Sequence, residues 1–269
     1  MSSTPTVMLS WRLSYLNNPS LQYYGQREML RKICSETSPN LIRPMMTSLS
    51  ILLSLTIRKI LRTDERILTN YQNRHGTLKL HIGCGEHILD GWLNSDLGTR
   101  SREILHLNAT WQFPFNDDSV DLVFSEHMIE HITYLQGQHM LSECFRVLKP
   151  NGKVRVATPD LAFLVGLYQN EKSELQNGYI QWFHDNFIGI PTLHKEPFVI
   201  NFHMRLFGHQ FIYDEQTLRE SFGKAGFVNI TKCTVGESAH EEFTELENEA
   251  GRPPGFLRLA SLVLEGTKP

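Results

Sequence analysis

The stretch LKLHIGCGEHILDGWLNSDL, running from Leu78 to Leu97, decides how the rest of the chain is read. Leu78, Leu80 and Ile82 alternate with other residues, which is the period of a strand. The alternation ends in Gly83-Cys84-Gly85, and a second short strand read over 92–96 closes on Asp96. Glycines at a strand end let backbone approach a ligand closely. In open α/β sheets, ligands bind beyond the carboxyl ends of the strands.

Outward from this stretch, short apolar strands alternate with helical segments. Residues 78–83, 92–96, 120–125 and 153–158 read as strands. Residues 134–148 read as a helix, with Met140, Leu141, Cys144, Phe145 and Leu148 on one stripe. Pro150 cannot continue that helix, and Asn151-Gly152 makes a turn. Such alternation predicts a parallel sheet flanked by helices. Asp214 is placed to cap a helix over 214–227 and Gly226 to end it. Residues 228–235 and 256–266 read as two further strands, joined by an acidic link that reads as a solvated connection.

Two cofactor classes suit the glycine bend. A dinucleotide asks for G-x-G-x-x-G and an acidic residue about 20 positions on. The third glycine is absent here, and Glu86 would stand beside a pyrophosphate. S-adenosylmethionine carries no phosphate. It needs a bare bend for its amino-acid end and a carboxylate for its ribose hydroxyls, and Asp96 offers the carboxylate.

Three stretches taken in order, LHIGCGEHILDGWLNSD, LNATWQFPFNDDSVDLVFSEHMIEH and MLSECFRVLKPNGKVRVATPD, resemble the class I S-adenosylmethionine-dependent methyltransferases. Within that family they are similar to the type 11-like, small-molecule branch. The resemblance covers 78–160 and extends more loosely to the end of the chain. It implies a Rossmann-like fold: a mostly parallel seven-stranded sheet with helices on both faces. It places Gly83, Cys84 and Gly85 at the cofactor's amino-acid end, Asp96 with its neighbour Leu97 at the ribose, and Asn108 with Ala109 at the adenine. Many relatives carry aspartate where this chain has Asn108, whose carbonyl can still accept from the adenine amine. Ser125 and Glu126 would border the methionine moiety. His127, beside them, is the candidate base, since an imidazole's ordinary pKa suits proton removal near neutral pH.

The segment 161–212 breaks the alternating rhythm. It is rich in aromatics and histidine and is expected to cover the methyl acceptor. Asp160, His184, His203, His209 and Tyr213 are the candidate acceptor residues, although packing alone would explain any one of them. HMIEH (127–131) also matches the H-x-x-E-H pattern of zinc peptidases. A strand-to-loop transition precedes it, and the resembling family commonly has Glu-His at this place. His203 and His209 have no carboxylate or cysteine at ligand spacing in the sequence, so no metal is expected.

Residues 1–75 read as an N-terminal helical region for capping or oligomerisation, and 76–269 as the methyltransferase domain. The uncharged run Pro44 to Ile57 is short of the roughly 20 residues that span a bilayer. It is expected to be a buried helix or a subunit-facing one in a homodimer, with an interfacial membrane helix as the alternative. The chain has 269 residues, 41% hydrophobic content and a net charge of −3, which argues against a nucleic-acid partner. Four scattered cysteines, Cys34, Cys84, Cys144 and Cys233, form no framework and indicate a reducing, cytoplasmic setting. The expected activity is methyl transfer to an oxygen or nitrogen of a small molecule, such as a sugar or natural product. The alternatives are a silent methyltransferase-like subunit that binds a partner, and a nicotinamide oxidoreductase.

Overall fold

The computed structural model describes residues 56–98, 101, 103–169, 171–188 and 194–269. Residues 1–55, most of the expected N-terminal region, lie outside the described residues. After helix α1 (Thr63–Arg74) come strands β1 (Lys79–Ile82), β2 (Leu93–Asp96), β3 (Leu105–His106) and β4 (Val120–Glu126). Helix α2 (Tyr134–Val147) leads into β5 (Leu148–Pro159). Helices α3 (Leu161–Gly166), α4 (Glu174–Phe183), α5 (Glu196–Arg205) and α6 (Glu215–Ala225) follow, then β6 (Val228–Cys233), α7 (Phe256–Ala260) and β7 (Ser261–Thr267).

The seven strands form one sheet in the order β3-β2-β1-β4-β5-β7-β6. The pairings from β3 through β5 are parallel, and β7 runs antiparallel to both β5 and β6. The order reverses at β1, so the segments that leave the paired strands β1 and β4 diverge and frame a crevice at the strands' carboxyl ends. That crevice holds the glycine bend and Glu126.

Leu80, Ile82, Val123, Val154, Val156, Leu262 and Leu264 form one face of the sheet and bury against α1, α2 and α6. Alternation along each strand sends the intervening residues to the other face. Capping is specific. Thr133 and Gln136 form a capping box at α2, Asp214 accepts from Thr217 N at α6, and Gly226 ends α6 at φ 107°.

Three local expectations are corrected. Residues 149–152 do not leave the sheet. They bulge within β5, where the register with β4 shifts and Asn151 takes φ 65°. Phe256–Ala260 is a helical turn rather than the start of a strand, closed by Leu259 N donating to Gly255 O at 2.9 Å. Four apolar residues around Arg258 are too few for their period to separate the two.

The acidic link is not simply solvated. Phe243 and Leu246 pack with Trp92, Leu122 and Phe124 on the second face of the sheet. Glu247 lies beside them and pairs with buried Arg155 at 2.6 Å, and Glu265 takes the other side of that guanidinium at 2.5 Å. The chain from β1 to β2 is too short for a crossover helix, and the link covers the sheet instead. Insertion helices α3 to α5 form a separate small core around Phe163, Tyr179, Phe183 and Phe202.

Candidate active site

Gly83 N and Cys84 N both donate to Ser95 O, at 2.9 and 3.0 Å, and Gly85 N donates to Asp96 Oδ2 at 3.1 Å. The bend is therefore tied to the end of β2 by three N–H groups in succession. Gly83 has φ 72°, and a Cβ there would stand 2.3 Å from Met128 Cγ. Its missing side chain makes room for the loop after β4. Gly85, at φ 50°, has nothing within 4 Å of a Cβ position and faces open space. Cys84 is buried, and burial pushes its thiol up to about 11, so it stays protonated.

Asp96 stands at the tip of β2, half-buried. Oδ1 accepts from Gly98 N at 2.7 Å, and each carboxylate oxygen keeps a further lone pair. Leu97 is exposed and Ala109 is buried. The Asn108 carbonyl already accepts from Thr110 N at 2.9 Å and Thr110 Oγ1 at 2.8 Å. That closes a local turn and occupies the oxygen expected to meet the adenine amine. The group Asn108 keeps for a ligand is its NH2.

Ser125 is buried, and its hydroxyl has no hydrogen-bond partner. Glu126 faces the crevice and is held from two sides. His87 Nδ1 lies 3.2 Å from Oε2, and Asn248 N donates to both oxygens at 3.0 and 3.2 Å. Together with Gly83, His127 and Arg252 these residues line a cavity of about 200 Å³. No local pattern marks His87, Asn248 or Arg252 as site residues. Asn248 and Arg252 belong to the acidic link and arrive through the fold.

His127 adopts φ 47°, with its N–H donating to Ala157 O at 2.9 Å. Its Nδ1 lies 3.2 Å from Glu130 Oε1 and its Nε2 lies 3.1 Å from Ser261 Oγ. Glu130 is fully buried and also accepts from Thr158 Oγ1 at 3.1 Å. Burial pushes its pKa up, but the bond from His127 and the neighbouring histidines outweigh this and hold the carboxyl below its ordinary value. His127 and His131 do not share a helical face, because only Ile129–His131 is helical, as a 3-10 turn.

The remaining candidates separate into groups. His203 and His209 lie near His127 and Glu130, and burial lowers both pKa values, that of His203 to about 3. His203 Nε2 meets Tyr179 Oη at 3.0 Å. His184 belongs to another place in the insertion, with its ring 4.6 Å from that of His194. Asp160 caps α3 through Ala162 N at 2.8 Å. Tyr213 is enclosed in the main core against Gly137, so it supports the site's wall rather than forming its surface.

Residues 80–156 match the family model described as a methyltransferase domain. The matched segment spans β1 through most of β5, with the bend, Asp96 and the Glu126-His127 turn inside it. Residues 80–156 therefore carry an S-adenosylmethionine-dependent methyltransferase domain, with S-adenosylmethionine as its cofactor. No curated protein matches the chain. Among solved structures it is similar to a methyltransferase from Thermotoga maritima described as a "possible histamine N-methyltransferase" (18% identity, 71% of this chain and 82% of that one, TM-score 0.41). It is also similar to an S-adenosylmethionine-dependent methyltransferase from Archaeoglobus fulgidus (14% identity, 81% and 93%, TM-score 0.44). A third is phosphoethanolamine N-methyltransferase 2 of Haemonchus contortus (16% identity, 72% and 49%, TM-score 0.39). No helix among the described residues is long and apolar enough to cross a membrane.

Proposed function

We propose that the chain transfers the methyl group of S-adenosylmethionine to an oxygen or nitrogen of a small molecule, with His127 as the base. The observation that carries the cofactor part is the pairing of the Gly83–Gly85 bend with Asp96. The bend's N–H groups already bond to β2, so carbonyl oxygens are what it has to offer a ligand. That suits the ammonium of the cofactor's amino-acid end. It suits a pyrophosphate poorly, because that group needs free N–H donors and a helix N-terminus. No helix follows the bend before β2. The nicotinamide reading loses its footing on the same ground.

Asp96 would receive the ribose hydroxyls, Asn108 the adenine through its NH2, and Leu97 and Ala109 the adenine's faces. Glu126 would border the methionine moiety, with Ser125 behind it. Methyl transfer is an in-line displacement at a good leaving group, so the protein mainly aligns the reactants and excludes water. His127 would take the acceptor's proton at Nε2, where the Ser261 hydroxyl now sits. Buried Glu130 fixes the ring at Nδ1 and stabilises the imidazolium that forms. The insertion would supply the acceptor's cover from Asp160, His203 and His209, with His184 farther out. The free thiols Cys84, Cys144 and Cys233 support a reducing, cytoplasmic setting. Residues 1–75 would cap the domain or pair two copies.

The test is a panel of hydroxyl and amine acceptors, read as release of S-adenosylhomocysteine. His127→Ala should keep S-adenosylhomocysteine affinity and lower turnover about 100-fold or more. Undiminished turnover in that variant would remove the base from His127.

A further inference from the structure

We propose that Glu130, His131 and His209 form a site for one divalent transition cation of the zinc class. In the sequence no carboxylate stands at ligand spacing from His209. The fold supplies one. Gln210 N and Phe211 N donate to Glu130 O at 2.7 and 3.2 Å, and Gln210 Nε2 donates to His131 O at 2.8 Å. These three bonds fasten the loop after β4 to the end of the insertion. Side-chain ligand atoms of Glu130, His131 and His209 then lie within 4.8 Å of one another.

The donor chemistry suits zinc, since two imidazoles and a carboxylate with an open fourth position are a known type of set. Each ligand is also prepared from behind. His209 Nδ1 lies 2.7 Å from the His203 carbonyl. A carbonyl only accepts, so Nδ1 carries the proton and Nε2 keeps its lone pair for a metal. Metal-binding histidines characteristically have such a bond on the other nitrogen. Glu130 is oriented by Thr158 and His127.

Ligands around tetrahedral zinc sit roughly 3.3 Å apart. His131 is exposed on the outer side of the cluster, so rotation of its side chain can close the remaining gap. The second histidine-carboxylate group, His184, Asp185 and His194, differs. Its Asp185 and His194 are both exposed and already bond to each other at 2.8 Å.

The test is calorimetric titration of chelator-stripped full chain with zinc chloride alone. One zinc per chain is expected. His131→Ala and His209→Ala should each weaken binding about 100-fold or more, and His194→Ala should leave it unchanged. His131 is exposed, so its variant does not put folding at risk. No zinc uptake by the wild type would overturn the site. So would uptake that survives both cluster variants, or that is lost in His194→Ala. Titration with S-adenosylhomocysteine is read separately, so failure of the metal site and failure of the methyltransferase reading are distinguishable.

Discussion

At the scale of single residues, the two glycines of the bend do different work. Alanine at position 83 would meet Met128 Cγ at 2.3 Å while holding φ 72°. We expect Gly83→Ala to lose about 2–4 kcal/mol of stability, from backbone strain and overpacking together. Gly85→Ala meets no neighbour and should lose only about 1–2 kcal/mol, the cost of a left-handed L-residue. Urea denaturation of the two variants checks the contrast, and equal losses would show that Met128 moves aside. Asp96→Ala should weaken S-adenosylhomocysteine binding by about 1.5–3 kcal/mol, the scale of hydrogen bonds to a charged group, as read by calorimetry on folded protein. Gly83, Gly85 and Asp96 were legible because a strand-end glycine and a strand-end acid are local patterns. The Asn248 clamp on Glu126 was not, because its partners lie 122 residues apart and its donor is a backbone N–H that any residue supplies. The Asn108 turn with Thr110 is local, but the sequence does not say which amide atom it uses.

Among elements, the link between β6 and α7 holds the most consequence for the site. Phe243, Leu246 and Glu247 turn inward while Glu241, Glu242 and Glu245 face water. The count of acids suggested a solvated strand of chain, and it concealed that inward set. Arg155 is fully buried and pairs with both Glu247 and Glu265. Arg155→Met leaves two buried carboxylates without their cation and should cost about 3–5 kcal/mol, measured by the urea midpoint. It should also loosen Asn248, one residue beyond Glu247. A stability change below about 1 kcal/mol would show that the pair is effectively solvated. Strands β1, β2, β4 and β5, with helix α2, were legible from their periods. The two-residue β3 was not, since two residues carry no period, and α7 was mistaken because five residues, four of them apolar, fit either element.

For the whole molecule, the sheet order and the domain match agree with the class read from the glycine stretch. The insertion's aromatics build their own core, so His184 and His203 are buried in a packed layer rather than a loose cover, while His194 stays exposed. Burial holds His81 at about 4 and His203 at about 3. The unfolded chain takes these protons near pH 6.5, whereas the folded chain refuses them until the pH is far lower. The stability this confers is complete above about pH 6.5 and is lost as the pH falls through 6.5 toward the folded values. Between pH 6.5 and 5 the two histidines together should cost about 2–4 kcal/mol. Urea midpoints across that range check it, and His203→Gln should remove roughly half of the slope. The central claim is that the bend and Asp96 hold a sulfonium nucleoside and not a dinucleotide. Its most direct test is calorimetry on the folded wild-type chain, titrated in parallel with S-adenosylhomocysteine and with NADH. One molecule of S-adenosylhomocysteine bound per chain and no heat of binding with NADH are expected; binding of NADH with none of S-adenosylhomocysteine would overturn the assignment.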